Sequence, residues 1–327
     1  MTVLSSGHWY PVLSSRQLGK RPVAKTRFGE RLVFWRTRSG DAVCMPDRCA
    51  HRGAALSLGR VQGDTIECRF HGFRFGAAGQ CMRVPAEGDD WEIPDQLRVP
   101  TRPVREADGY LWSWRGPAAA AADLPPPPRT ELVKDMHFGE VSYLWNAHYT
   151  RAIENVLDYS HLPFVHRRSI GAFIRDPRTR VRVESRDGGF LFFLDNKRKN
   201  NRQYVDFVYP TLWFNRVGKS FTLAATFFPV DDQQTEVCVR WYHHVPRPLH
   251  PLVDLWGRFS QFLVFDDDLP IVASQQPANV DDAGGDRLVP SDAGLVAYRK
   301  LRRIHQQELR QAPQGGPTGM APGMLST

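Results

Sequence analysis

Two cysteines and two histidines lie close together in the first quarter of the chain. Cys49-Ala-His51 is followed, after sixteen intervening residues, by Cys68-Arg-Phe-His71. Each pair offers one thiolate sulfur and one imidazole nitrogen. Four protein ligands divided in this way suit a cluster of two iron and two sulfide ions, with the cysteines on one iron and the histidines on the other. We therefore predict a [2Fe-2S] cluster bound by these four residues, with electron transfer as its chemistry.

A structural zinc ion is the alternative occupant of the same four residues. Zinc sites with two cysteines and two histidines usually place the cysteine pair first and the histidine pair second. Here the order is Cys-His and then Cys-His. This order favours a cluster of the Rieske type, in which two neutral imidazoles replace two thiolates and the oxidised cluster accepts an electron more readily.

A second set of ligand-type residues lies at 154–166. A helix is predicted over 150–162, with Asn155 and Asp158 on one of its faces. Pro163 is expected to end or kink this helix, because proline lacks the amide hydrogen and clashes with the preceding turn.

A kink at Pro163 would bring His166 back towards His161. Two imidazoles and one carboxylate form the facial triad of a mononuclear non-heme iron(II) centre, which leaves coordination positions open for oxygen. The carboxylate has two candidate sources in the sequence. Asp158 is the nearest, and the run 266–268 places three adjacent aspartates inside an apolar helix, where at least one should face inward with a partner.

Short strands are expected to position the first ligand set. Residues 1–117 alternate apolar and polar residues between Ser-Gly and Gly-Asp turns, which indicates a small antiparallel β domain. Residues 118–130 are rich in alanine and proline and are predicted to be an extended linker, because proline cannot continue a helix or donate to a strand ladder. The strands predicted in this part are 31–36, 42–43, 65–67 and 110–114.

The second ligand set lies in a larger domain, predicted at 131–311. Aromatic and β-branched residues alternate along several of its segments, which predicts a curved antiparallel sheet. Residues 312–327 are rich in glycine and proline and are expected to be disordered. The predicted fold class is therefore α+β. The predicted strands are 138–145, 180–184, 189–194, 204–209, 220–228 and 235–243, and the predicted long helices are 249–274 and 293–311.

Composition narrows the classes of partner and compartment. The net charge is +8 and the pI is about 9.4. The arginines are spread along the chain and no nucleic-acid-binding module is recognisable, so we expect an acidic electron-transfer protein rather than nucleic acid as the partner.

The sequence has no apolar run long enough to span a bilayer and no signal-like N-terminus, so no membrane partner is expected. The odd count of five cysteines fits a reducing cytoplasm better than a disulfide framework.

The sequence resembles the catalytic α subunit of Rieske non-heme iron oxygenases over nearly its whole length. Its length and its final Asp268-x2-Ile-Val-Ala-Ser-Gln-Gln276 are closest to the group of O-demethylases that act on vanillate and dicamba. The resemblance implies an N-terminal antiparallel β Rieske domain followed by a helix-grip (START-like) catalytic domain. The motifs that carry it are Asp47-Arg-Cys-Ala-His-Arg-Gly-Ala54, Cys68-Arg-Phe-His-Gly-Phe-Arg-Phe75 and Asn155-x2-Asp158-x2-His161-x4-His166.

The resemblance also implies a role for each residue of the second set. Asp158 would bridge to a cluster histidine of a neighbouring subunit in a head-to-tail homotrimer, and Asn155 would lie near the open side of the iron. Glu154 is expected to face solvent. The implied iron ligands are His161, His166 and Asp268, with Asp267 as the runner-up carboxylate.

The implied activity is that of an oxygenase component. Electrons from NAD(P)H would arrive through a separate ferredoxin or flavin reductase, since the chain lacks a Gly-rich dinucleotide fingerprint. Dioxygen would then hydroxylate or demethylate an apolar, ring-containing small molecule. The alternatives are an aromatic-ring cis-dihydroxylase, a Rieske electron carrier without its own catalysis and a small-molecule-binding module. The aromatic residues predicted to line the substrate pocket are Tyr204, Phe207, Trp213, Phe227 and Trp241.

Overall fold

Small antiparallel sheets form the N-terminal part of the molecule, and a large antiparallel sheet with long helices follows. This arrangement confirms the predicted α+β class. The predicted tail, 312–327, and residues 118–122 of the predicted linker lie outside the described residues. The computed structural model describes residues 7–116, 123–174, 176–178, 180–194, 204–218 and 220–311.

Short strands build the N-terminal part. They are β1 (His8–Ser14), β2 (Val23–Arg27), β3 (Glu30–Arg36), β4 (Ala42–Pro46), β5 (Arg60–Gln62), β6 (Thr65–Glu67), β7 (Arg74–Gly76), β8 (Cys81–Arg83), β9 (Val104–Ala107) and β10 (Tyr110–Arg115). They pair antiparallel in the orders β1-β10-β9, β2-β3-β4 and β5-β6-β7-β8. The first and last strands of this part are therefore neighbours. The first cysteine–histidine segment precedes β5, and the second connects β6 to β7.

The large sheet runs in the order β11-β17-β16-β15-β14-β13-β12, and every neighbouring pair is antiparallel. Its strands are β11 (His137–Trp145), β12 (Val181–Arg186), β13 (Gly189–Leu194), β14 (Tyr204–Val208), β15 (Leu212–Arg216), β16 (Phe221–Pro229) and β17 (Thr235–His243). The accompanying helices are α1 (Tyr149–Leu157), α2 (Leu162–Val165), α3 (His250–Ser274) and α4 (Ala293–Gln311).

Both faces of the large sheet are covered, which explains why β17 is buried along its whole length. Successive side chains of a strand point to opposite faces. Val237 and Val239 accordingly pack with residues of α1, α3 and α4, whereas Cys238 packs on the other face with Trp112 of β10. The sheet thus holds the helices that carry the second ligand set on one face and the N-terminal part on the other.

Most of the predicted regular elements are present. Residues 189–194, 235–243 and 293–311 coincide with β13, β17 and α4. The strand β15 was not predicted, because its five residues lie between two longer alternating segments and resemble a loop that connects them. None of the helices in the described ranges combines the length and the apolar character needed to cross a bilayer.

Candidate functional site

Two loops of the same construction carry the cysteine–histidine pairs. In the first loop the amide of Cys49 donates to the carbonyl of Ala54 at 2.8 Å, and the amide of Gly53 donates back to the carbonyl of Cys49 at 2.9 Å. In the second loop, between Cys68 and Phe73, the corresponding bonds measure 2.8 and 3.0 Å. The repeated hydrogen-bond pattern places a cysteine at the start of each loop and a histidine in its middle.

Glycine is required four residues after each cysteine. Gly53 and Gly72 have φ of +74° and +75°, a backbone conformation that residues with a Cβ rarely adopt. A Cβ at Gly72 would also lie 2.9 Å from the side chain of Pro85. The shared Cys-x3-Gly spacing is therefore a backbone requirement of the two loops.

The four ligand-type side chains differ in their exposure to solvent. Cys49 and Cys68 are 3% and 1% exposed, whereas His51 and His71 are exposed, with ring centroids 4.8 Å apart. Burial, together with the neighbouring Cys68, raises the pKa of the Cys49 thiol to about 11. A metal cation would hold both sulfurs as thiolates. The donor set fits a cluster with its sulfur-bound iron inside and its histidine-bound iron at the surface.

Three side chains of the second set converge beside the large sheet. His161 precedes α2, His166 follows it, and Asp268 lies on α3. The Oδ1 atom of Asp268 is 3.1 Å from Nε2 of His166 and 3.5 Å from Nε2 of His161. Ligands about 2.1 Å from one metal ion and at right angles are roughly 3.0 Å apart. One donor atom from each of the three residues lies within 4.8 Å of the others, which is the spacing of a mononuclear site.

Two of the three donor atoms in this group lack a hydrogen-bond partner within the protein. Nε2 of His166 and Oδ1 of Asp268 are buried without a hydrogen bond. Buried polar atoms are nearly always paired, so this pair fits a metal ion. On the far side of the ring, Nδ1 of His166 lies 3.3 Å from Oδ2 of Asp267. Burial opposes protonation of His166, but Asp268 and Asp267 outweigh burial and raise its pKa, so the two carboxylates favour positive charge at this ring.

The helix before the histidines is shorter than predicted. The expectation of a helix to residue 162 is wrong, because α1 ends at Leu157. Oδ1 of Asp158 accepts hydrogen bonds from the amide of Ser160 at 2.7 Å and from its hydroxyl at 2.6 Å, which turns the chain out of the helix. Pro163 makes no kink in α1; it lies in the first turn of α2, where its missing amide hydrogen costs nothing. The histidines converge because they flank a single helical turn.

Asp158 approaches the other nitrogen of the His161 ring. Its Oδ2 is 3.6 Å from Nδ1 of His161, while Asp268 faces Nε2. Burial would raise the pKa of Asp158, but the nearby imidazole of His161 and the hydrogen bonds from Ser160 outweigh burial and hold that pKa below its usual range. Asp158 is therefore a charged group placed to orient the imidazole, and the side chain remains about a quarter exposed.

Glu154 is buried, so the expectation that it faces solvent is wrong. It is 3% exposed and pairs with Arg151 at 3.0 Å and with Arg299 of α4 at 2.5 Å. Asp286 also pairs with both arginines. This network ties α1, which precedes the ligand segment, to α4.

A cavity of about 360 Å³ opens beside the three converging residues. Asn155 lines it, and so do two of the aromatic residues predicted to line the substrate pocket, Trp213 and Phe227. The prediction is wrong for three other aromatic residues. Phe207 packs against the ring of Tyr298, and Tyr204 and Trp241 are likewise outside the lining.

Two amide side chains that the sequence did not single out complete the cavity wall, Asn215 on β15 and Gln261 on α3. Apart from Asp158 and the converging group, the described lining residues carry no ionisable side chain other than the phenol of Tyr159. The remaining apolar lining includes Trp145, Val156, Leu162, Ile170, Ile174, Val217, Leu223, Ala225, Val239, Val264 and Phe265.

Comparison with known proteins gives two family matches along the chain. Residues 8–102 match the Rieske [2Fe-2S] domain, and residues 145–308 match the vanillate O-demethylase oxygenase C-terminal domain. The first match contains both cysteine–histidine loops. The second contains the converging histidines and aspartate.

Relatives match over different lengths. A putative toluene-4-sulfonate monooxygenase system iron-sulfur subunit, TsaM2, of Comamonas testosteroni is 34% identical over 52% of this chain and 48% of its own length. The chain thus spans about half the length of several curated relatives that it matches. The methylxanthine N1-demethylase NdmA of Pseudomonas putida is 29% identical over 97% of this chain and 92% of its own length.

Solved structures share the fold. The structure of Pseudomonas putida NdmA superposes with a TM-score of 0.79 at 25% identity, covering 93% of this chain and 92% of that one. Dicamba monooxygenase bound to dicamba superposes with a TM-score of 0.77 at 20% identity, covering 95% of this chain and 100% of that one.

Proposed function

This chain belongs to the Rieske oxygenases with a C-terminal domain of the vanillate O-demethylase type, and from this premise we propose that it is the catalytic component of an oxygenase system. One observation carries the proposal. Within the described residues, a mixed sulfur–nitrogen donor set and a separate His-His-Asp donor set, the latter beside an apolar cavity, occur in one chain. An electron carrier would use only the first.

The family binds a [2Fe-2S] cluster and a mononuclear non-heme iron. In the proposal Cys49, His51, Cys68 and His71 hold the cluster, and His161, His166 and Asp268 hold the iron. When bound, the cluster supplies single electrons and the iron supplies the activation of dioxygen.

The protein's own part is to fix the two imidazoles. Both rings would face the metal through Nε2, so each Nδ1 carries a proton. Oδ2 of Asp158 faces Nδ1 of His161 at 3.6 Å, and Asp267 accepts from Nδ1 of His166 at 3.3 Å. Such carboxylate partners set the tautomer and the ring orientation, and their loss commonly reduces metal affinity or activity by about 10- to 100-fold. Asp158 is the proposed route for electrons between neighbouring subunits of a homotrimer.

The substrate is proposed to be a neutral, largely apolar ring compound. The cavity walls are mostly apolar, and the amides of Asn155, Asn215 and Gln261 offer both donors and acceptors for one or two polar groups of the ligand. A carboxylate substrate would need a cationic side chain to offset its desolvation, and the described lining supplies none apart from the group assigned to the iron. The proposed reaction inserts one oxygen atom of dioxygen into a C–H bond of this ring or of an O- or N-methyl group on it, and two electrons from the donor reduce the other oxygen atom to water. A hydroxylated O- or N-methyl group then breaks its C–O or C–N bond and leaves as formaldehyde.

The electron donor is proposed to be an acidic ferredoxin or flavin reductase fed by NAD(P)H. His51 and His71 are exposed, so a donor can approach the cluster closely. Exposed arginines surround them and would steer an acidic partner by complementary charge. These are Arg48, Arg52 and Arg69. A reducing cytoplasmic setting is part of the proposal, since none of the five cysteines forms a disulfide.

A product screen tests the proposed function. The reconstituted protein is supplied with a surrogate reductase, NADH and ¹⁸O₂, and is offered matched pairs of methylated ring compounds that differ only in a carboxylate. We expect ¹⁸O-labelled alcohol or formaldehyde from a neutral member of the panel. Reduction and reoxidation of the cluster with no labelled product from any compound would instead identify an electron carrier. Turnover restricted to the carboxylates would overturn the substrate class alone.

A further inference from the structure

A second group of metal-ligating residues lies at the opposite end of α3. His137 on β11 and His243 on β17 are directly opposed in the antiparallel register. Asp254 lies in the second turn of α3, which begins at His250. Three elements that are distant in sequence thus bring two imidazoles and a carboxylate to one place.

The spacing of these side chains suits a single ion. Nε2 of His137 is 3.5 Å from Oδ2 of Asp254, and one donor atom from each of the three residues lies within 4.8 Å of the others. Ligands about 2.05 Å from a tetrahedral zinc ion are roughly 3.3 Å apart. The observed separation is therefore close to that of two zinc ligands.

His243 supplies the observation that points to a ligand. It is 2% exposed, and its Nε2 has no hydrogen-bond partner. On the other side of the ring, Nδ1 receives a long bond of 3.3 Å from the amide of Val245. Coordination of a metal ion through Nε2 would give this buried nitrogen a partner. The ring proton would then lie on Nδ1, and the weak hydrogen bond from the amide of Val245 would be lost.

The carboxylate is already oriented for this role. Oδ1 of Asp254 accepts a hydrogen bond from Nε1 of Trp241 at 3.2 Å, which leaves Oδ2 facing His137. Glycines make room for this approach of α3 to the sheet. A Cβ at Gly139 would lie 2.3 Å from Asp254, and one at Gly257 would lie 2.3 Å from the Trp241 ring. A ligand held by a hydrogen bond on its free oxygen is a common feature of metal sites.

We propose that His137, His243 and Asp254 bind a divalent zinc-type ion, with water in the fourth position. Two imidazoles and one carboxylate are borderline ligands that suit zinc. The ion would fasten the start of α3 to the edge of the large sheet. Asp268 lies fourteen residues further along the same helix, roughly 21 Å away along its axis. The ion is therefore separate from the iron site, and it secures the helix that presents the iron carboxylate.

Zinc uptake by the iron-replete protein tests this assignment. After incubation with equimolar ZnSO₄ and gel filtration, we expect one zinc per chain by elemental analysis and a rise of several degrees in melting temperature. Asp254→Asn keeps the Trp241 hydrogen bond and is expected to lose both effects while retaining its iron. Asp187→Asn, at an exposed turn, is the matched control and should behave as the wild type.

A second variant distinguishes the loss of a zinc ligand from misfolding of the first variant. His137→Gln changes a half-buried residue at the sheet edge and should also lose zinc with its iron content intact. Wild-type protein that takes up no zinc, or Asp254→Asn and His137→Gln proteins that bind as much zinc as the wild type, would overturn the assignment. Because the readouts are zinc content and melting temperature, failure here leaves the proposed oxygenase function untouched.

Discussion

Replacement of Asp158 by asparagine tests how the imidazole of His161 is held. The side chain of Asp158 makes two kinds of contact. Its Oδ1 accepts from the amide and the hydroxyl of Ser160, and its Oδ2 faces Nδ1 of His161 at 3.6 Å. Asparagine retains an oxygen for Ser160, so the turn after α1 should survive. Its amide group would point a donor at the protonated Nδ1, and the negative charge would be lost.

The magnitude follows from the contact that is removed, a charged pair at 3.6 Å that is longer than a hydrogen bond. Carboxylates that orient a metal-ligating histidine commonly contribute about 10- to 100-fold to metal affinity or activity. The long contact and the partial exposure of Asp158 place the direct effect near the lower end. Loss of the proposed electron route between subunits would add to it.

The assay is single turnover of the reduced protein with a substrate found in the product screen, alongside iron analysis of the same sample. We expect Asp158→Asn to keep its full iron content and to lose at least about tenfold in rate. Ser160→Ala is the control, because it removes a bond to Oδ1 and leaves the charge opposite His161; its rate should change little. Near-normal turnover in Asp158→Asn, or an equal loss in Ser160→Ala, would refute the reasoning.

Three further predictions concern stability, the cluster and the electron donor. Glu154→Gln should lower the free energy of unfolding by about 2 kcal/mol, less than the roughly 3–5 kcal/mol of a buried charge left without any partner, because Asp286 still pairs with both arginines. Chemical denaturation measures this change, and an unchanged midpoint would contradict it. Cys49→Ala should abolish the visible absorption of the cluster, whereas Cys44→Ala, at a buried thiol outside the loops, should retain it. Arg52→Glu should raise the KM for an acidic ferredoxin several-fold at low salt and less at high salt; Arg303→Glu on α4 is the control, and equal effects of both would argue against docking beside the cluster.

The parts of the fold that follow a local pattern were predictable from the sequence. Alternation along 189–194 and 235–243 requires only neighbouring residues, and both strands are present as predicted. The two cysteine–histidine loops were also recognisable, because the ligands and the glycine that each loop needs lie within five residues. The convergence of His161 and His166 was expected as well, although for a different local reason.

The incorrect predictions concern features that depend on residues distant in sequence or on hydrogen bonds that compete with the helix. The end of α1 was missed because the side chain of Asp158 bonds to Ser160 and competes with the helix, a choice that periodicity does not reveal. The burial of Glu154 depends on Arg299, 145 residues further along the chain. An aromatic residue lines the cavity only if its side chain points to the cavity face of the sheet. That orientation is set by how the strands pack against α3 and α4 and not by residue type.

The iron and sulfide content of the wild type and of the His161→Ala/His166→Ala double variant tests the central claim most directly. After anaerobic reconstitution, the wild type should contain three irons and two acid-labile sulfides per chain. The double variant should contain two irons and two sulfides, with the visible spectrum of the cluster unchanged. A double variant that keeps the third iron, or a wild type that holds only two, would contradict the assignment of a mononuclear iron to His161, His166 and Asp268.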